Sequence, residues 1–518
     1  MPTTLRHPRT LHILLALLCY HPGFFTLPPS DRDEARFAQS THQMLETGDF
    51  VQIHEGPEAR NKKPIGIYWL QAPFAAAFGP RAIWPYRIPS LLGALTATLA
   101  TFALGRRLFD RRTAFLAAAM LGTCILLTTE AHIAKTDAAL LAATTLAMFA
   151  LSRAYLATAT APTAALFWLA TGAGILLKGP ITPMVAGLAA LTLCLWDRRA
   201  RWLLSLRPAW GIPLCLATIL PWFIAIGLAT HGQFFRDALG GDLLSKLAHG
   251  AESHWGPPGL HLFLLPLLLF PATTLLPAGL LTAWQTRTIP ATRFLVAWAA
   301  PAWLVFEAVP TKLPHYPLPL YPALCLLAAS AIPTPLTLRL GRILATIAAI
   351  LIAVAALALP ILLHAPFYLG LPGAFTALLL AYLLLRHSPT TAILAAPLLY
   401  WSLLGLELPN LPALWLSPRA IAAATAPGLP SGPLGSVGDH EPSLRFLGGT
   451  STLFLPDGPS GVTALADGAV TRLLVGDRDL AAFRAAATHS GFNPHQIAAI
   501  PGFNYSRGRW TTLTLFTR

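Results

Sequence analysis

Charge is scarce in this chain. Only 11% of its 518 residues are Asp, Glu, Lys or Arg, against 55% hydrophobic, and the mean hydropathy is +0.58. So little charge cannot clothe a soluble surface, so composition excludes an ordinary soluble domain and points to a membrane protein. Cysteine is sparse too. Cys19, Cys124, Cys194, Cys215 and Cys325 all lie in apolar segments and form no CxxC pair, which excludes a disulfide framework or thiolate metal site and leaves them as small core residues. The apolar runs lack the alternation of barrel strands. Stretches such as 91–104, 343–363 and 374–385 are rich in Leu and Ala, so the spans are helices. No repeat at a solenoid period is visible, nor the paired interrupted helices of an inverted-repeat transporter.

Acidic residues are the scarcer sign, 22 against 36 Lys and Arg, for a net charge of +14. In a soluble protein that excess would suggest nucleic acid, but here Arg recurs in clusters between apolar runs. Arg106, Arg107, Arg111 and Arg112 form one, Arg198, Arg199 and Arg201 another, and Arg339 with Arg342 a third. This is the positive-inside pattern, and no nucleic-acid partner is expected. At about 20 apolar residues each, spans are expected near 11–28, 84–104, 113–130, 135–152, 163–178, 180–196, 209–229, 259–283, 294–310, 316–333, 343–363, 367–385 and 391–408, about thirteen. With Arg6 and Arg9 inside, the clusters, together with Arg153, Arg207, Arg287, Arg293 and Arg386, fall on the cytoplasmic side. The odd count sends the C-terminus outside. The first segment lacks a small-residue cleavage site and is expected to be a retained span. The expected organisation is a transmembrane domain over 1–408, with an external loop at 29–83, and a small external α/β domain over 409–518. The latter opens on Pro and Gly punctuation and carries strand-like and helix-like runs such as "TRLLVG" and "RDLAAFRAAATHSGF".

What charge there is gathers at the external ends of the spans. After the first span, "PPSDRDEARFAQ" offers Asp31 as a helix cap with Glu34 three positions on and Gly48 as the stop, predicting a short amphipathic helix on the outer membrane surface. Asp33 and Glu34 occupy its first turn, where carboxylates also serve simply as favourable charges at a helix N-terminus. Farther on, "NKKPIGIYWLQAPF" sets Lys62 and Lys63 before Pro64, which suits a first helical position. Asp137, near the external end of an apolar span, is costly unless paired, and Lys135 or His132 are the expected partners. The loop "AHGAESHWGPP" offers His249, Glu252 and His254 as weak candidate ligands for a divalent metal, with His254 also a candidate phosphate contact.

These segments, with "AHIAKTDAALLAATTLAMFAL", "LLKGPITPMVAGLAAL" and "PTKLPHYPLPLYPALCLLAA" in that order, resemble the C-type (GT-C) membrane glycosyltransferases of family 39 over roughly residues 20 to 330. That family includes bacterial aminoarabinose transferases acting on lipid A and the protein O-mannosyltransferases. In the tail, "HEPSLRFLGGT" and "NYSRGRW" also look like bacterial members. The resemblance implies an inner-membrane enzyme that moves a sugar from a polyprenyl-phosphate donor to an envelope acceptor, whether lipid A, a glycan or a protein, on the periplasmic face. It matches the family's Asp-Glu pair to Asp33 and Glu34, followed by Arg36, its first-loop Lys-Pro to Lys63 and Pro64, and its second Asp to Asp137. Its Lys-Gly-Pro turn falls on Lys178 to Pro180 and its Lys-Leu-Pro-His-Tyr turn on Lys312 to Tyr316. Two positions depart from the pattern. Lys62 stands where a carboxylate is common, one that some relatives use in a structural zinc site, and Phe37 stands where Tyr is common.

Chemistry gives these residues a purpose. Breaking a sugar C1–O bond with a phosphate leaving group builds positive charge on the ring and negative charge on the phosphate. Cations at one level of the membrane lower that barrier, and Lys63, Arg36, Lys178 and Lys312, with Tyr316, are the expected donor-phosphate contacts. Asp33, Glu34 and Asp137 are the candidate catalytic carboxylates. Asp33 would accept a proton from a hydroxyl acceptor, steer an amine on the donor sugar or stabilise the ring charge; a phosphate acceptor would need no base. The rival reading is a polyprenyl-linked sugar transporter or flippase, which would place its charges at mid-membrane. A third is a membrane anchor for the tail, although the tail shows no recognisable catalytic motif.

Overall fold

The computed structural model describes residues 8–238, 240 and 255–518. It is a helical membrane protein with a small sheet domain at its C-terminal end. The first ten helices carry the site: α1 (Pro8–Tyr20), α2 (Asp33–Thr47), α3 (Gly66–Phe78), α4 (Trp84–Leu108), α5 (Arg111–Thr123), α6 (Ile125–Ala131), α7 (Asp137–Tyr155), α8 (Ala161–Lys178), α9 (Ile181–Asp197) and α10 (Pro208–Ala229). Each of the thirteen expected segments contains helix, but they are not thirteen straight spans. Among the described residues seven helices are long and apolar enough to cross a bilayer, and nine crossings result if two bent pairs each count as one. The expected span at 113–130 bends by 60° between α5 and α6, and that at 259–283 bends by 117° after Leu268. The first span is shorter than expected, since α1 stops at Tyr20 and gives way to turns. Hydropathy reports whether a residue tolerates lipid; it does not register a break in direction within an apolar run.

α7 is the central helix. In its apolar window 78% of residues are buried, against 17% for the lipid-facing α10. Its Ala- and Thr-rich face lets neighbours approach closely. A Cβ added at Gly93 of α4 would lie 2.6 Å from the carbonyl oxygen of Ala138, and one at Gly66 of α3 would lie 2.7 Å from that of Leu176. Only glycine permits these approaches. They press α4 against the start of α7, which carries Asp137, and the start of α3, just after Lys63, against the end of α8, which carries Lys178.

In the tail, strands β1 (Leu434–Val437), β2 (Leu453–Leu455), β3 (Arg472–Gly476), β4 (His495–Asn504) and β5 (Arg509–Thr517) form a sheet of order β2-β1-β3-β5-β4, parallel among β2, β1 and β3 and antiparallel beyond. Alternation along the strands supplies two apolar faces. Val437, Val475 and Phe516 pack on helices Gly458–Ala466 and Asp477–His489. Leu434, Leu474, Leu513 and Leu515 pack on Leu416–Ala424 and Pro442–Gly448.

Helix α2 departs from expectation. It does not lie open on a membrane surface: Gln39, Ser40 and Thr41 are fully buried, and the Gln39 amide donates to Thr450 Oγ1 of the tail at 2.8 Å. Nor does Asp31 cap it. Arg32 occupies that position in the left-handed region at φ 64°, with no side-chain cap, whereas Gly48 ends the helix at φ 72° as expected. The helix does have two faces, but the polar one meets a second protein layer instead of water.

Candidate active site

The charged loops meet in one cavity of 1420 Å³, bordered by the start of α2, the loop before α3, the start of α7, the end of α8, the 311–316 turn and the tail's 440–456 segment. Asp33 lines it with an exposed side chain, and half-buried Arg36, whose guanidinium lies 3.8 Å from Glu55, lines it too. Lys62, Lys63 and Arg60 line it from the following loop. Arg60 stacks over Phe37, 4.6 Å from the ring centroid, and donates to Tyr68 Oη at 3.0 Å. Phe37, where tyrosine is common in the family resembled, thus contributes a π face rather than a hydroxyl.

At the deep end sits a compact ion network. Lys178 Nζ donates to Asp137 at 2.5 Å, and Lys135 Nζ lies 3.0 Å from Glu130 and 3.8 Å from Asp137. His315 lies between them, 3.7 Å from Asp137 and 3.4 Å from Lys135 Nζ. Burial, joined by the positive fields of Lys135, Lys178 and Lys63, holds the His315 imidazole well below its usual range although Asp137 opposes this, so it is neutral near pH 7. Burial also opposes charge on Lys135, but Glu130 and then Asp137 outweigh it and raise its pKa. Two carboxyl groups therefore face two ammonium groups across a neutral ring. The partner expected for Asp137 is corrected in part: Lys178 is the close one, Lys135 the distant one, and His132 turns away to Thr128 and Pro22 carbonyls at 2.7 and 2.8 Å. Tyr316 joins the site as expected, with the Lys178 ammonium 5.4 Å from its ring centroid.

Two expected site residues take other places. Lys312 is buried and donates to the carbonyls of Glu307 and Val309 at 2.8 and 2.6 Å, satisfying the open end of the Pro290–Ala308 helix; it does not line the cavity. It follows the end of an apolar helix, but its ammonium turns back onto that helix's last carbonyls. Glu34, grouped above with Asp33 as a catalytic carboxylate, has both oxygens engaged. Oε1 accepts from Arg87 Nε at 2.8 Å and the Ala134 amide at 3.0 Å, and Oε2 accepts from Arg87 Nη2 and from the amide and hydroxyl of Ser30. Burial works against its charge, but Arg87 beside it wins and lowers its pKa. His249, Glu252 and His254 lie outside the described residues. Among the described residues no three His, Cys, Asp or Glu side chains group to hold a metal ion.

The tail motifs turn out to grip the carboxylate loop. Tyr505 Oη meets the Asp31 amide at 2.5 Å, Arg32 donates to the Ser506 carbonyl at 2.6 Å, and the Asp31 carboxylate accepts from the Ser443 amide at 3.3 Å. Asn504 donates to Asp439 and Glu441, both at 2.9 Å. Burial, then the nearby Glu441, pushes Asp31 up to about 7, and the same two causes push Asp439 up to about 6.

Known proteins resemble this chain in sequence and in fold. Residues 62–224 match the dolichyl-phosphate-mannose-protein mannosyltransferase family model. An undecaprenyl phosphate-alpha-4-amino-4-deoxy-L-arabinose arabinosyl transferase of Pseudomonas fluorescens Pf0-1 is 30% identical over 60% of this chain. The match spans 57% of that relative's length. A second such transferase, from P. fluorescens Pf-5, is 29% identical over 73% of the chain and 67% of its own. The crystal structure of ArnT from Cupriavidus metallidurans bound to undecaprenyl phosphate superposes with a TM-score of 0.77 at 20% identity, covering 98% of this chain and 97% of that one. The chain has the fold of that crystal structure and is similar in sequence to these transferases over part of its length. An archaeal oligosaccharyltransferase of Archaeoglobus fulgidus shares the GT-C architecture more distantly, at a TM-score of 0.52.

Some residues of the site were not singled out from sequence. Arg87 is the plainest omission, because an arginine three residues into an apolar span is by itself a signal that it has a buried partner. His315 lies inside the quoted 312–316 turn, but only the packed structure distinguishes it from its neighbour Lys312.

Proposed function

We propose that this chain is a C-type membrane glycosyltransferase of family 39 and transfers a sugar from a polyprenyl-phosphate donor to an envelope acceptor (lipid A, a glycan or a protein) on the external face of a bacterial inner membrane. The observation that carries the proposal is the single cavity in which an exposed carboxylate, Asp33, shares space with Arg36, Lys63 and Lys178, delivered by separate segments of the chain. The relatives named above for undecaprenyl-phosphate sugar transfer support the donor class. Residues 1–408 supply the reacting groups and 409–518 closes the chamber from above. Lys63, Arg36 and Lys178, with Tyr316, hold the donor phosphate and neutralise the charge that gathers on it as the C1–O bond breaks. Asp33 faces the sugar ring, and Asp137 positions Lys178. Glu34 positions Asp33 by anchoring the first turn of α2 to Arg87.

The cavity lies on the membrane face opposite the Arg clusters, which the positive-inside rule assigns to the cytoplasm. The tail lines the same cavity, so both are external, and a reporter fused after Arg518 is expected to be active only in the periplasm. The function is tested with purified protein in nanodiscs given polyprenyl-phosphate sugars and envelope acceptors, the products being read by mass spectrometry. Asp33→Asn should abolish product while leaving the protein folded. Lys63→Ala should lower kcat/KM about ten- to a hundred-fold, the effect of losing one charge-assisted hydrogen bond. Wild-type protein that moves labelled lipid between leaflets but makes no product with any acceptor would establish the transporter instead.

A further inference from the structure

A second groove lies far from this site. It has a volume of 750 Å³ and runs along the start of the helix Pro335–Leu362, where Leu338, Ile343, Ile347 and Leu385 form its apolar walls and Arg339 and Arg342 stand among them. At 1.5 Å per residue that 28-residue helix is about 42 Å long, enough to cross the bilayer. Just beyond its far end, His364 stacks on Trp510 of the tail sheet with ring centroids 4.5 Å apart. The groove therefore opens at the membrane face opposite the sugar-transfer cavity.

Among the described residues no carboxylate pairs with the charge there. The sequence holds no Asp or Glu between Glu307 and Glu407. Arg339 is exposed and makes no hydrogen bond or ion pair among the described residues, and Arg342 uses Nε to reach the Leu384 carbonyl at 3.1 Å. Ile343 and Ile347 are each about half exposed, at 47% and 50%, and stand one helical turn apart on the groove side. Two guanidinium groups at the interface above an apolar channel match one kind of molecule, in which an anionic headgroup continues into a hydrocarbon chain.

We propose that this groove is a binding site for an anionic glycerophospholipid of the cytoplasmic leaflet. Its phosphate sits between Arg339 and Arg342, and one acyl chain lies along Ile343, Ile347 and Leu385. A bidentate guanidinium contact selects a phosphodiester that carries net negative charge over a zwitterionic one, whose own ammonium group competes for the phosphate. This site is independent of the transfer chemistry.

The test uses full-length protein in detergent with equal amounts of phosphatidylglycerol and phosphatidylcholine of the same chain length, the retained lipid being counted by native mass spectrometry. One phosphatidylglycerol per chain is expected, preferred at least tenfold. Arg339→Gln touches no protein partner and should fold normally, and it should reduce that preference about tenfold. Ile343→Trp, which fills the channel, should displace the lipid while leaving the charge in place. Arg106→Gln, at another basic cluster, should change nothing. Equal retention of both lipids by the parent would overturn the proposal. So would a loss in Arg106→Gln as large as in Arg339→Gln, because the preference would then belong to the general positive field.

Discussion

Arg87→Met should be the most damaging single change near the cavity that alters no residue proposed to touch substrate. Arg87 is 2% exposed and its guanidinium makes five hydrogen bonds: two to Glu34, at 2.8 and 3.1 Å, and three to the carbonyls of Phe24, Leu27 and Pro28, at 2.9, 2.9 and 3.0 Å. Methionine fills much of the same volume but leaves the Glu34 carboxylate buried without its counter-charge. Breaking such a pair from one side costs about 3–5 kcal/mol, a large share of a typical total of about 5–15 kcal/mol. The segment 24–34 is the part held, so the damage should be local first, with transfer lost through misplacement of Asp33. Thermal unfolding in detergent, followed by tryptophan fluorescence, measures the effect. The double change Glu34→Gln with Arg87→Met removes both charges and should be less unstable than the sum of the two single changes. A melting temperature for Arg87→Met equal to the parent's, or strict additivity in the double, would refute the assignment of Arg87 and Glu34 as one buried unit.

Lys312→Met should lower stability by about 1–2 kcal/mol, because two carbonyls at a helix end lose their donor, while leaving the KM for donor unchanged; a large rise in KM with normal melting would return Lys312 to the phosphate. The joint between tail and loop should weaken as pH rises. Asp31, pushed up to about 7, and Asp439, pushed up to about 6, bind more protons in the docked state than when exposed near the ordinary value of 3.8, so docking is strongest below about pH 4 and is lost as pH rises through 6 to 7. Hydrogen exchange in segments 29–34 and 504–507 should be faster at pH 8 than at pH 5.5 after correction for intrinsic rates, and Asp31→Asn should flatten the difference. Protection that increases with pH would contradict the sign.

The sequence alone decided that this chain crosses a membrane many times as helices. It also decided that Asp33, Lys63, Asp137 and Lys178 fall at the ends of their segments. These facts are local, since apolar length and the position of a charge along a helix axis follow from a few neighbouring residues. Tertiary structure decided which charges belong to one another. Lys312 and Lys178 look alike in sequence, each ending a span, but one turns back onto carbonyls and the other reaches Asp137, 41 positions earlier in the chain. Glu34 and Asp33 are adjacent and both border the cavity, yet a helix sets consecutive residues about 100° apart, so Glu34 is buried against Arg87 while Asp33 is exposed. The tail motifs "HEPSLRFLGGT" and "NYSRGRW" had no visible chemistry because their role is to hold a loop more than 400 residues away. A hydrogen bond between residues that far apart leaves no periodicity in the sequence.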